Sequence, residues 1–444
     1  MAKKKTNQGS NSKGKVLKVL GPTWLWLIPS SALLIKLITL VIIPGHMWLG
    51  SDGESYLQGV NGLLKSGLFS DEGKLQYFPA GYPILIWIFA KISLGGALIL
   101  LGIFQTLVFA FSTWYFGKSL INSRIQALLP WAIFLISFNP TLSLASLAVG
   151  YESLASSLLL VSVGILWKFK VEKSKYKTIL NFGLVSSLIA FMQPRYLATS
   201  MVIVLIWLLK NVKKKEAVKL SAVALIAIMV FPLGLVLRNQ QATGKAFISN
   251  NLGTTMNVGA GPESTGGYTN KATGVKCPDS VRTDNQRVLC ILKWYATNPG
   301  QTLRLSLNKT LYLFSPWSGP LANGTMARNP WLKVNPVTSI AKTQGGYNTV
   351  YGAFGKVISW AWELGQIGLM LWGAVWLWRQ GGELRDLSLL ASTSIVITWL
   401  IALATIGDHR FRIPVMGFIF LLQLAGLRGF SKSPLVLKAP AKKR

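Results

Sequence analysis

The chain has 444 residues, 51% of them apolar and only 14% charged, with a positive mean hydropathy and a formal charge of +32 from 46 basic and 14 acidic side chains. Globular chains carry roughly 25% charged residues, so this composition excludes a soluble globule and describes a polytopic membrane protein. The basic excess does not mark a nucleic-acid binder: the lysines cluster between apolar runs, and no zinc-ligand spacing or aromatic RNA-binding box accompanies them.

Residues 1–22 form a basic tail carrying Lys3, Lys4, Lys5, Lys13, Lys15 and Lys18, and no small-residue cleavage site follows, so the first apolar run reads as retained. Short basic loops beside apolar spans mark the inner side of a membrane. With the tail inside, a first span at about Trp24–Ile43 leads to an external loop over residues 44–80. Tyr82–Lys91 is too short to cross and reads as a juxtamembrane or half-inserted helix. Further spans are expected at about Ala97–Phe116, Ile125–Phe138, Glu152–Trp167, Thr178–Met192, Tyr196–Leu209 and Val218–Leu237, completing an N-terminal membrane module over residues 23–237. This order places the clusters Lys168–Lys177 and Lys210–Lys219 inside.

Residues 238–350, rich in Gly, Asn, Thr and Ser, are too long for a passive connection. Within them Arg287–Ala296 and Leu303–Phe314 mix apolar and basic residues at helical spacing, as helices lying along a membrane surface do. Cys277 and Cys290 also fall here. In an oxidising compartment they would close a short disulfide loop worth ~3 kcal/mol; otherwise they are two unrelated thiols. Spans at about Gly352–Trp378, Leu387–Ile406 and Ile413–Leu427 fill residues 351–428, before a basic tail at 429–444. The expected fold is all-α, with about ten transmembrane helices of roughly 20 residues, juxtamembrane helices and a long external loop.

With so few acids, elimination is informative. Glu172, Glu216, Glu383 and Asp386 belong to inner loops, where they balance lysines; Asp279 and Asp284 read as hydrophilic surface, and Asp71 with Glu72 as a turn. Asp52 and Glu54 directly follow a span and Glu152 begins one, all three on the outer side. A carboxylate beside lipid is costly without a partner or a task, and there it can act as general base toward an acceptor hydroxyl. The alternative for Asp52 is an N-cap for Tyr56–Leu64, and for Glu152 a favourable charge at a helix N-terminus. Arg195, Arg238 and the run His409-Arg410-Phe411-Arg412 sit at outer span ends. Arginine forks there suit phosphate oxygens, with interfacial snorkelling the alternative for Arg195. Lys36 and Glu363, inside the bilayer, need partners and are candidates to pair with each other. His46 and His409, with Asp52 and Glu54, offer donors for a divalent metal, but no ligand spacing marks such a site.

The acidic loop with Asp52 and Glu54, the stretch Tyr77-Phe78-Pro79-Ala80-Gly81-Tyr82-Pro83, Glu152, Asn250-Asn251-Leu252-Gly253 with Gly266-Gly267-Tyr268, and Asp408-His409-Arg410-Phe411-Arg412-Ile413-Pro414 follow one another from about Trp24 to Gly429. In that order they resemble the membrane-embedded GT-C glycosyltransferases that use polyprenyl-phosphate sugars, which include protein O-mannosyltransferases and lipid A aminoarabinose transferases. The resemblance implies an inverting transfer at the outer (periplasmic) face of the cell membrane, from a polyprenyl-phosphate sugar to a hydroxyl of a lipid, glycan or protein acceptor. It implies Asp52 as base, with Glu54 or Glu152 assisting. It puts basic side chains on the lipid phosphate: Arg238 first, with Arg195, Arg410 and Arg412 as alternatives, and His409 and Tyr82 beside the substrate. The chain departs from the pattern in reading Asp-Gly-Glu where several relatives have adjacent acids, which leaves the base open between Asp52 and Glu54. Two rival classes remain. A flippase or transporter of lipid-linked saccharides would concentrate its polar groups at the midplane, and an oligosaccharide polymerase or ligase would rest on external Arg and His residues.

Overall fold

A computed structural model describes residues 22–42, 47–49, 52–170, 172, 174–268, 274–314 and 353–430. The basic tails, His46 and residues 315–352 of the long connecting segment lie outside the described residues.

The described residues are mostly helical, with two strands of two residues each. After α1 (Thr23–Ile42), strand β1 (Trp48–Leu49) leads into α2 (Gly53–Ser66), α3 (Gly73–Tyr77) and α4 (Gly81–Ile92). The long α5 (Ala97–Leu120) is followed by α6 (Leu129–Phe138), α7 (Pro140–Leu144), a 3-10 turn Ala145–Leu147 and β2 (Ala148–Val149). Then come α8 (Glu152–Lys168), α9 (Lys175–Met192), α10 (Tyr196–Asn211) and α11 (Lys214–Thr243). The connecting segment carries α12 (Leu252–Val258), α13 (Asp284–Thr297) and α14 (Pro299–Leu313). The described chain closes with α15 (Ala353–Gln380), α16 (Gly382–Ala404), a 3-10 segment His409–Val415 and α17 (Met416–Phe430).

The expectation of ten spans is not met. Among the described residues five helices are long and apolar enough to cross a membrane: α1, α5, α11, α16 and the stretch His409–Phe430. A pair bent by 52°, Leu129–Phe138 with Pro140–Leu147, raises the number to six if it counts as one span. The bend sits at Asn139-Pro140, where proline removes a helix donor and pushes the preceding residue out of helical geometry. The Asn139 side chain restarts the helix by accepting the Leu142 N–H at 3.1 Å.

Length accounts for three of the expected spans that are missing. A helix rises about 1.5 Å per residue, so a hydrocarbon core of about 30 Å needs about 20 residues. Helices α6, α8 and α10 have 10, 17 and 16. Helix α8 is buried along most of its length, with Ser153, Ser156, Ser157 and Ser162 all inside the bundle. Such small residues let neighbouring helices approach closely; the apolar run of α8 is protein core and not a lipid-facing surface.

Two sequence expectations change with the packing. Lys36 and Glu363 do not pair. Lys36 Nζ lies 3.8 Å from the Phe109 ring centroid, within cation–π range, and Glu363 Oε1 accepts from Arg412 at 2.6 Å. Cys277 and Cys290 are bonded to each other, tying the loop before α13 to that helix.

Helices α8, α10 and α16 define two ends of the bundle. At one, Asp386 Oδ2 pairs with Lys170 and Oδ1 with Lys210 Nζ (2.5 Å), and the Asp386 side chain is only 4% exposed. The opposite ends of the same three helices carry Glu152, Arg195 and the turn after Ala404.

Candidate functional site

Strands β1 and β2 pair in parallel, Trp48 opposite Ala148 and Leu49 opposite Val149. Three residues beyond each strand stands an acid, Asp52 before α2 and Glu152 opening α8. Equal offsets from one register bring the two helix starts, and with them the two carboxylates, to the same place. Tyr82 secures this junction. Its hydroxyl accepts the Gly150 N–H at 2.8 Å and donates to Gln105 Oε1 at 3.1 Å. The Gln105 amide in turn donates to the carbonyls of Ser146 (3.2 Å) and Ala148 (3.1 Å). Gly81 lets α4 pack closely on α9, since a Cβ there would sit 2.1 Å from the Phe191 carbonyl oxygen.

The turn after α16 supplies the cations. Asp408 caps the 3-10 segment by accepting the Arg410 N–H at 3.0 Å, which aims the Arg410 guanidinium at Asp52: Nη2 to Oδ2 is 2.9 Å. Arg410 Nε lies 3.7 Å from Asp408 Oδ2, and His409 Nδ1 lies 3.4 Å from Asp408 Oδ1. Glu152, buried, is within electrostatic reach of Arg410, Asp52 and Arg195. Arg195 stacks over Phe411, 4.0 Å from the ring centroid, and faces Tyr151 at 5.9 Å. Tyr56, one turn into α2, packs edge-on against Phe78 (5.4 Å) and Tyr82 (5.1 Å). Burial first, and then the charge of Asp52, holds its phenol well above the ordinary range.

The structure therefore gathers Asp52, Glu152, Arg195, His409 and Arg410. Asp52 does not serve as a side-chain cap of α2: its carboxylate makes no cap hydrogen bond. Glu54 is exposed, and among the described residues no cation pairs with it; of the two acids in the loop it is Asp52 that meets a cation. Arg238, the first candidate for the phosphate, is engaged elsewhere. It donates to the carbonyls of Leu68 (2.9 Å) and Ser70 and to Asn239 Oδ1 (2.7 Å), clamping the loop between α2 and α3. Arg412 points away from Arg410 to Glu363, as residues two apart on a 3-10 segment must. Tyr82, fully buried, stands one layer behind the acids as a positioning residue. Among the described residues no group of three or more His, Cys, Asp or Glu side chains is placed to hold a metal ion.

The connecting segment braces the cationic turn from outside. The Gly407 N–H donates to the Gly266 carbonyl at 2.9 Å, and a Cβ on Gly407 would meet the Lys309 carbonyl oxygen at 2.4 Å. Lys309 Nζ donates to the Leu403 carbonyl and the Tyr295 hydroxyl, each at 2.8 Å. Desolvation lowers this ammonium group to about 7.

Sequence reasoning missed Tyr56, Tyr151 and Gln105. Gln105 had a usable signal, because an amide within an apolar span must find partners. The tyrosines had none beyond adjacency to the acids. Chemically, the arrangement offers a carboxylate able to accept a proton from a hydroxyl and two guanidinium groups able to pair with phosphate oxygens. No family model matches the chain, and comparison with curated proteins and with solved structures finds no match.

Proposed function

We propose that this chain is an integral membrane glycosyltransferase of the GT-C kind, moving a sugar from a polyprenyl-phosphate donor to an acceptor hydroxyl at the outer face of the cell membrane, with inversion. One observation carries the reading: the Asp52–Arg410 pair, flanked by Glu152 and Arg195, at one end of a helical membrane bundle. The acceptor oxygen attacks the anomeric carbon as Asp52 takes its proton. The bond from that carbon to the phosphate oxygen breaks, and the lipid phosphate leaves with the electron pair. Arg410 and Arg195, replacing Arg238 in this role, stabilise the charge that grows on the leaving phosphate.

Arg410 cannot serve that phosphate fully while it holds Asp52. Donor binding would therefore loosen the ion pair and free the base, which makes donor-first binding the expected order. The outer-face assignment draws on two further features. The Cys277–Cys290 disulfide belongs to the segment that braces the site, and disulfides persist in oxidising compartments. Lys170 and Lys210 gather at the far end of the bundle, as inner-side basic loops do.

The test is incubation of purified protein with radiolabelled polyprenyl-phosphate sugars and identification of the labelled product. Transfer by the native chain, lowered at least about a hundredfold in Asp52→Asn with donor binding retained, is the expected result. Transfer by Asp52→Asn at close to the native rate would point instead to a ligase resting on the Arg and His residues.

A further inference from the structure

A separate polar cavity of about 370 Å³ opens between the turn after α11 and the start of α13. Its chemistry comes from Lys245, Asn250, Arg282, Asp284, Asn285 and Arg287. Three cations face one carboxylate, and that carboxylate is engaged: both Asp284 oxygens accept the Gly253 N–H, at 3.0 and 3.1 Å. Among the described residues none of the three cations has an ion-pair partner, and Lys245 and Arg282 are exposed. An acid-poor opening of this kind, with two side-chain amides, suits an anion that also carries hydroxyls.

The cavity is joined to the site. The Asn250 N–H donates to the Gln76 carbonyl at 2.9 Å, fixing one cavity wall against α3. Arg287 Nη1 donates to Thr254 Oγ1 at 2.9 Å, and Thr254 stands beside the Tyr77 hydroxyl. Tyr77 is half-buried, and its phenol is raised by burial first and then by Tyr268, Asp52 and Asp284, so it senses a charge on each side. Arg287, Thr254 and Tyr77 thus stand between the cavity and the side where Asp52 lies.

We infer that this cavity is the subsite for an anionic saccharide acceptor, one bearing phosphate or carboxylate, whose reacting hydroxyl reaches Asp52 past Tyr77. The acceptor role rests on the transferase reading; the affinity for anionic sugars does not. The probes are glucose 6-phosphate, glucuronate and uncharged glucose, titrated by calorimetry against the full chain in detergent. One or both charged sugars should bind and glucose should not, and whichever binds identifies the anion. The double variant Lys245→Glu, Arg282→Glu should weaken that binding at least tenfold, whereas Arg410→Gln should retain it. The milder pair Lys245→Gln, Arg282→Gln should give an intermediate loss. Glucose binding as well as the charged sugars, no binding by either charged sugar, or binding unaffected by the double variant would each overturn the proposal. In the transfer assay the double variant should raise KM for a charged acceptor at least tenfold, with kcat falling less than twofold; an unaltered KM also overturns it. Should no donor support transfer while charged sugars still depend on Lys245 and Arg282, the transferase reading fails and the anion site stands.

Discussion

At one end of α8, α10 and α16, Asp386 accepts a lysine on each of its oxygens and is almost sealed from solvent; at the other, Asp52 meets Arg410 through one oxygen and keeps 24% of its side chain exposed. Both are carboxylates held by cations. The first has both oxygens held by cations, which suits a clasp between helices. The second retains an oxygen outside its ion pair, beside a second acid and a second arginine. Pairing alone therefore does not separate a structural acid from a reactive one; what separates them is how much of the carboxylate the pairing uses.

Several substitutions break or sharpen that contrast. The largest effect is expected from Asp52→Asn, which on the transferase reading removes the base and should lower transfer by about 10²- to 10⁴-fold, read as the single-turnover rate constant. Arg410→Gln should cost about 10²- to 10³-fold, because it removes preplaced stabilisation of the departing phosphate. It should also weaken donor binding, which Asp52→Asn should not. Asp386→Ala removes the buried carboxylate that clasps Lys170 and Lys210, and because both lysines remain reachable by solvent it should destabilise the fold by about 1–2 kcal/mol. Denaturation measures that loss, while kcat per folded molecule should stay at the native value; a large fall in kcat would erase the distinction between the two ends.

Smaller effects test the supports. Tyr82→Phe leaves the Gly150 N–H and the Gln105 carbonyl oxygen without their partner and should cost about 1–3 kcal/mol of stability, with kcat falling more than donor affinity as the β1–β2 junction loosens. Lys309 gives the mildest signal. Its folded value of about 7 lies below the ordinary 10.5, so between those values the unfolded chain binds the extra proton. Stability should rise as pH increases from about 7 toward 10 and be lowest below 7. Lys309→Met should flatten that slope, which thermal unfolding across the pH range would record; an equally steep slope in the variant would place its origin elsewhere.

Much of this was legible along the chain. Apolar runs located most of the helices, and the scarcity of acids drew attention to Asp52 and Glu152, because an acid in such a context must be paired or used. Other readings failed for identifiable reasons. Hydropathy does not distinguish a helix buried in protein from one facing lipid, so α8 and α10 read as spans although each is short. Arg238 and Arg410 look alike at span ends, yet one binds carbonyls of the distant loop between α2 and α3 and the other binds Asp52. The bent α6–α7 pair was expected as an ordinary crossing ending at Phe138.

Residue type and periodicity are local properties, and they were enough to indicate a helical membrane protein and to single out Asp52 and Glu152 for their context. Which groups meet was not local. The register of β1 on β2 places Asp52 level with Glu152, the cap on Asp408 aims Arg410, and the Gly407 contact holds that turn in place. Ion pairs and hydrogen bonds act over a few ångströms, and only the folded backbone brings residues so far apart in the chain within that range.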